Sequence, residues 1–164
     1  MTVHIERIKF GVVEENHMSA ARTGRIWGQL PAASDITVLE NGQFAKYDYA
    51  NGEVNFTGDG AWCIVINEEK HYDEREKMHR DFALRVEDFY DGKMYPRLKG
   101  LELGDLFTTN TLTTGDYTLG DKLCVGADGF LKAGEAPAGE HSFKVVKETV
   151  LPDGQPAVKI QVIA

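Results

Sequence analysis

Six Asn-Gly or Asp-Gly pairs punctuate the chain, at residues 41–42, 51–52, 59–60, 91–92, 128–129 and 153–154. Such pairs accept the positive φ that tight hairpin turns require. They cut most of the 164 residues into pieces of strand length. That rhythm predicts a mainly β protein, a small antiparallel barrel or sandwich. The length suits one ordinary domain, or one domain with an arm, and suffices to bury a core without staples. With 42% hydrophobic and 27% charged residues, the chain as a whole is not disordered.

The clearest strands come late. Residues 157–163 alternate Val158, Ile160 and Val162 with Lys159 and Gln161, the pattern of a half-buried strand. Its expected partner is 142–150, joined through the Pro-Asp-Gly-Gln-Pro segment at 152–156. Residues 122–125 and 130–132 flank a Gly-Ala-Asp-Gly loop and read as a second hairpin. Residues 106–113 are rich in threonine and read as a further strand. Residues 101–164 thus read as one small C-terminal β-barrel. In the middle, residues 61–66 (AWCIVI) lack alternation, which predicts a central strand covered on both faces. Residues 44–49 and 54–57 read as its neighbours. Residues 3–13 are a candidate strand with Val3, Ile5, Ile8 and Phe10 inward.

Two segments break this pattern. Residues 67–86 have no proline or glycine, are dense in charge, and pair Asp73 with Lys77 and Glu76 with Arg80 at helical spacing. They read as one short surface helix or a long excursion from the barrel. Residues 14–35 are polar and irregular and read as an extended arm. The expected organisation is an N-terminal strand and arm over 1–35, a β region with the charged excursion over 36–100, and the C-terminal barrel over 101–164. Removal of the arm is expected to leave the barrel folded.

Acidic residues outnumber basic ones, 26 to 18, for a net charge of −8 with no basic stripe. This argues against a general nucleic-acid binder, which neutralises phosphates with basic side chains. It argues equally against docking on an anionic membrane. No apolar run approaches bilayer length, and no secretory signal pattern opens the sequence. Cys63 and Cys124 each sit in an apolar stretch and read as buried reduced thiols, although spacing alone leaves a disulfide open.

Catalytic constellations are not visible. No two of the five histidines have the spacing of a zinc-binding helix. Glu76 and His79 match half of a di-iron motif without its second copy, and a solvated charged face explains them better. No serine lies in a nucleophile elbow, and His71 with Asp73 lacks a nucleophile. Asp88 with Asp91, and Asp116 with Asp121, are carboxylate pairs with members beside Gly92, Gly115 and Gly120, and read as turn residues. The sequence therefore predicts no catalytic residue, no metal site and no cofactor. Aromatics are the remaining signal, because aromatic and arginine side chains are enriched at protein interfaces. On that composition, Arg22, Arg25, Trp27, Tyr72 and Tyr90 are the candidate partner contacts. For Trp27, an arm that folds back and buries the indole is an equal alternative.

The runs Gly104-Asp105-Leu106-Phe107-Thr108-Thr109-Asn110-Thr111, Gly120-Asp121-Lys122-Leu123 and Val125-Gly126-Ala127-Asp128-Gly129 resemble those of tailed-bacteriophage capsid decoration proteins, also called cement or head-stabilising proteins. Arg22-Thr23-Gly24-Arg25-Ile26 and Glu40-Asn41-Gly42-Gln43-Phe44 fit the same group. The resemblance covers the last third of the chain well and the rest loosely, in turn-and-strand patterns without catalytic signatures. It implies a non-enzymatic virion protein on the capsid exterior, present in the host cytoplasm during assembly. The implied partners are the major capsid protein and further copies of itself, with a trimer as one option. A clamp that bridges several subunits gains avidity, and binding only the expanded shell stabilises that state. A carbohydrate-binding β module, with Tyr90 and Tyr95 stacking on sugars, and a tail or baseplate protein remain the alternatives.

Overall fold

The computed structural model describes residues 2–8, 10–20, 26–27, 30–67 and 82–164, with 26–27 described by backbone alone. The uninterrupted apolar run at 61–66 explains the architecture. Strand β7 (Cys63–Val65) lies in the middle of a five-stranded sheet. Its order is β3 (Ile26–Trp27), β9 (Leu98–Lys99), β7, β5 (Phe44–Asp48) and β6 (Glu53–Asn55). Successive strand residues face opposite sides. Trp62, Ile64 and Ile66 accordingly pack into one hydrophobic cluster, whereas Cys63 and Val65 pack into another. Both faces are covered, as the missing alternation predicts.

The first cluster joins this sheet to a six-stranded antiparallel one. Its order is β13 (Leu131–Ala133), β12 (Lys122–Val125), β14 (Phe143–Val150), β15 (Pro156–Val162), β10 (Leu106–Thr109) and β2 (Val13–His17). Phe44 from the five-stranded sheet meets Phe143 edge-on with centroids 5.3 Å apart, and Phe107 at 6.3 Å. All three rings are fully buried. The buried side chain of Lys99 pairs with Glu15 across the layers at 2.5 Å. The second cluster is closed by residues around Ala33, Ile36, Leu39, Leu84 and Met94. Here β4 (Val38–Glu40) pairs antiparallel with β8 (Ala83–Arg85). The protein is mainly β and sandwich-like.

The late hairpins β14–β15 and β12–β13 form where expected, with Val158, Ile160 and Val162 buried. Other expectations are corrected. The C-terminal sheet does not close into a barrel. Its last strand, β2, comes from the N-terminal part of the chain. Strand β11 (Gly115–Thr118) leaves that sheet to pair with β1 (Thr2–Ile5). The expected arm at 14–35 thus begins as a sheet strand, and Ile5, Val13 and Met18 are core residues. The expected 3–13 strand stops at Ile5. Ile8 is 78% exposed, and Phe10 is half-buried beneath the Arg85 guanidinium. The expected helix at 67–86 falls mostly on residues 68–81, outside the described residues, and its end is strand β8. The expected strand at 106–113 ends at Thr109.

The Thr-Thr-Asn-Thr run after Phe107 acts as a buried polar strut. Thr109 Oγ1 donates to the Val12 carbonyl at 2.7 Å, and Asn110 Oδ1 accepts from Val12 N–H at 2.8 Å. Thr111 Oγ1 donates to the Asn41 carbonyl at 2.6 Å. These bonds satisfy irregular backbone that has no ladder partner, and buried polar groups left unpaired are costly. The approach requires glycine: a Cβ on Gly42, whose φ is +88°, would lie 2.6 Å from Thr111 Oγ1.

Candidate functional site

Arg22, Arg25 and Tyr72 lie outside the described residues. Trp27 sits in β3, its backbone opposite Leu98. Tyr90 is fully exposed at a turn closed by Gly92 N–H donating to the Phe89 carbonyl at 3.1 Å. Asp91 Oδ1 accepts from Lys93 N–H, the turn role expected of it. Four residues on, Met94 is buried and its carbonyl accepts from Ala32 N–H, while Tyr95 is 46% exposed. The turn therefore carries an outward tyrosine on a segment anchored by Met94.

A second aromatic surface lies outside the candidate contacts. Tyr49, 76% exposed, stacks on buried Tyr47 with centroids 5.6 Å apart and an interplanar angle of 15°. Burial raises the Tyr47 phenol well above its ordinary value, with smaller contributions from Cys63 and Tyr49. The inner ring fixes the outer one as a flat platform. The sequence signal for it is the Tyr-x-Tyr spacing at the end of β5, which puts both rings on one face.

Among the described residues, two clefts with polar side chains stand out. One, of about 270 Å³, is lined by Lys46, Asp59, Trp62, Glu140 and His141 among others. Glu140 accepts from Lys46 Nζ and from Trp62 Nε1, each at 3.0 Å. Partial burial works to raise the Glu140 pKa, but these two hydrogen bonds and the Lys46 charge outweigh it and hold the carboxyl below its ordinary value. The Lys46 ammonium lies 4.5 Å from the Trp62 ring centroid. Trp62 is 5% exposed and covered by its own cation, so this indole is no stacking surface for a ligand.

The other cleft, of about 210 Å³, brings His17, Ser19 and Asp105 together. The residue types are those of a hydrolase triad, but the geometry differs. Ser19 Oγ donates directly to Asp105 Oδ1 at 2.5 Å, and Ser19 N–H donates to the same oxygen at 2.9 Å. Asp105 Oδ2 accepts from Glu102 N–H at 3.0 Å. In a triad the serine gives its proton to histidine, which the carboxylate orients. Here the buried carboxylate instead ties a short turn to the start of β10. The Asp of Gly120-Asp121 acts similarly, Asp121 accepting from Thr118 N–H at 2.7 Å.

Among the described residues no three His, Cys, Asp or Glu side chains converge as a metal site. Nor is any helix among them long and apolar enough to cross a membrane. Cys63 and Cys124 are buried free thiols rather than a disulfide. Comparison with protein-family models, curated proteins and solved structures finds no match.

Proposed function

We propose that the chain is a non-enzymatic structural protein of a tailed-phage particle, bound to the outer surface of the head and bridging major capsid protein subunits. The observation that carries this reading is the resemblance of residues 104–111, 120–123 and 125–129 to capsid decoration proteins. In the fold these runs form the turns and strands β10 and β12 of the six-stranded sheet, with the buried threonine strut between layers. A rigid sandwich with outward aromatic turns suits a clamp, because rigid anchors lose little entropy on docking. Tyr90 is the foremost partner contact on the described surface.

Sedimentation with expanded heads that lack the protein tests the reading. The full chain is expected to pellet with expanded heads and not with unexpanded ones, and Tyr90→Ala to pellet less. A chain that stays in the supernatant with both kinds of head refutes capsid binding. The Tyr49 platform favours a second reading, a carbohydrate-binding β module, since sugars stack on flat exposed rings. Glycan-array binding that is lost on Tyr49→Ala would support it against the first.

A further inference from the structure

The sequence contains two Asn-Gly pairs, and the fold treats them oppositely. Asn41 and Gly42 are buried. The Asn41 carboxamide accepts from Asn67 N–H at 2.7 Å and donates to the Asn67 carbonyl at 3.3 Å. Gly42 N–H donates to the Val65 carbonyl at 2.8 Å, and threonine side chains crowd its Cα. The backbone nitrogen that would attack the neighbouring carboxamide is engaged, and both groups are locked. Asn51 and Gly52 are exposed in the β5–β6 turn, where a Cβ on Gly52 would meet nothing within 4 Å. Asn51 Nδ2 donates to the Asp48 carboxylate at 2.8 Å, and Asn51 N–H donates to the same carboxylate at 3.1 Å, which leaves the Asn51 Cγ facing an unhindered glycine.

We propose that Asn51 is a site of spontaneous deamidation through a cyclic imide, and that its product remodels the β5–β6 turn. Gly52 N attacks Asn51 Cγ, so that a new N–C bond forms, the Cγ–Nδ2 bond breaks and ammonia leaves with the displaced proton. Water then opens the ring at either carbonyl and yields aspartate or its β-linked isomer. The balance is one water consumed and one ammonia released, with no oxidant or cofactor. Asparagine followed by unhindered glycine is the favourable case, because glycine supplies the backbone freedom the ring needs.

The consequence follows from the contacts of Asp48. Its carboxyl is held below the ordinary value first by the Asn51 side chain, then by the Asn51 backbone and by Asn55. Conversion replaces the first of these donors with a second carboxylate. The isoaspartyl product also lengthens the backbone two residues from Tyr49. The modification thus adds negative charge beside the exposed aromatic platform and loosens the turn that presents it.

The test is peptide mapping of the full-length protein, aged in mildly alkaline buffer, with fragmentation that separates isoaspartate from aspartate. Conversion at Asn51 is expected to exceed that at Asn41 on the order of 100-fold, because the buried pair reacts only through local opening. In denaturant the two sites should convert at similar rates, and Asn51→Gln should remove the signal while leaving the fold intact. Equal conversion at both sites in the native protein, or none at Asn51, overturns the proposal.

Discussion

Phe44→Ala probes the contact on which the two-layer account depends. Phe44 is fully buried on β5, and both of its ring partners, Phe107 and Phe143, belong to the opposite sheet. Truncating a buried phenylalanine to alanine costs about 3–5 kcal/mol in lost transfer energy and residual cavity. Each aromatic pair adds about 0.5–1.5 kcal/mol beyond area burial, which moves the expectation toward the upper half of that range. Domain stabilities are on the order of 5–15 kcal/mol, so a loss of about 4 kcal/mol is severe but survivable. With a urea dependence of about 2 kcal/mol per molar, the midpoint should fall by about 2 M. Trp62 packs in the same cluster, so tryptophan fluorescence and far-ultraviolet circular dichroism should shift together. A cost below about 1 kcal/mol would contradict the packing, since ordinary surface changes fall within about 0.5 kcal/mol. Two transitions, one at the wild-type midpoint, would contradict the shared core.

Deleting residues 2–20 removes β1, β2 and the core side chains Ile5, Val13 and Met18, and should leave an uncooperative or insoluble protein. A dispersed amide spectrum from that truncation would show that the segment is a dispensable arm after all. Glu140→Gln should cost about 1–2 kcal/mol at neutral pH, through weakened charge-assisted bonds to Lys46 and Trp62. The Glu140 pKa is depressed in the folded state, so its contribution is present above the unfolded carboxylate pKa and lost as pH falls through the folded one. The stability gap between wild type and variant should therefore close in acid, and a pH-independent gap would refute this. Burial pushes the Cys63 thiol up to about 11, and Cys124 is buried too. Both should react with an aromatic disulfide reagent only as the protein unfolds, and rapid labelling of the native protein would refute their burial.

The legible parts of the fold are those whose signals are local. β15 alternates cleanly because one face packs and the other is wet, and the 61–66 run lacks alternation because both faces pack. The N-terminal segment hides its role. β2 carries Glu14, Glu15 and Asn16 at a sheet edge, so its composition looks like an arm's. What makes it a strand is a register with Leu106–Thr109, about ninety residues away, and the Glu15–Lys99 pair. Barrel closure is likewise long-range, and the departure of β11 to pair with β1 leaves no mark in its own sequence. Composition, which singles out the candidate contacts, finds aromatics but not exposure. It selects Tyr90, which projects fully, and misses Tyr49, whose ring is set by Tyr47 beneath it.

The central claim is a repeated structural role on a phage head, and counting copies tests it most directly. Quantitative mass spectrometry of purified particles of the proposed phage gives the ratio of this protein to the major capsid protein. The account predicts a ratio of order one or a regular fraction of it, as lattice-wide attachment requires. A handful of copies per particle would move the protein to the portal, tail or baseplate. Its complete absence from the particle would contradict the account.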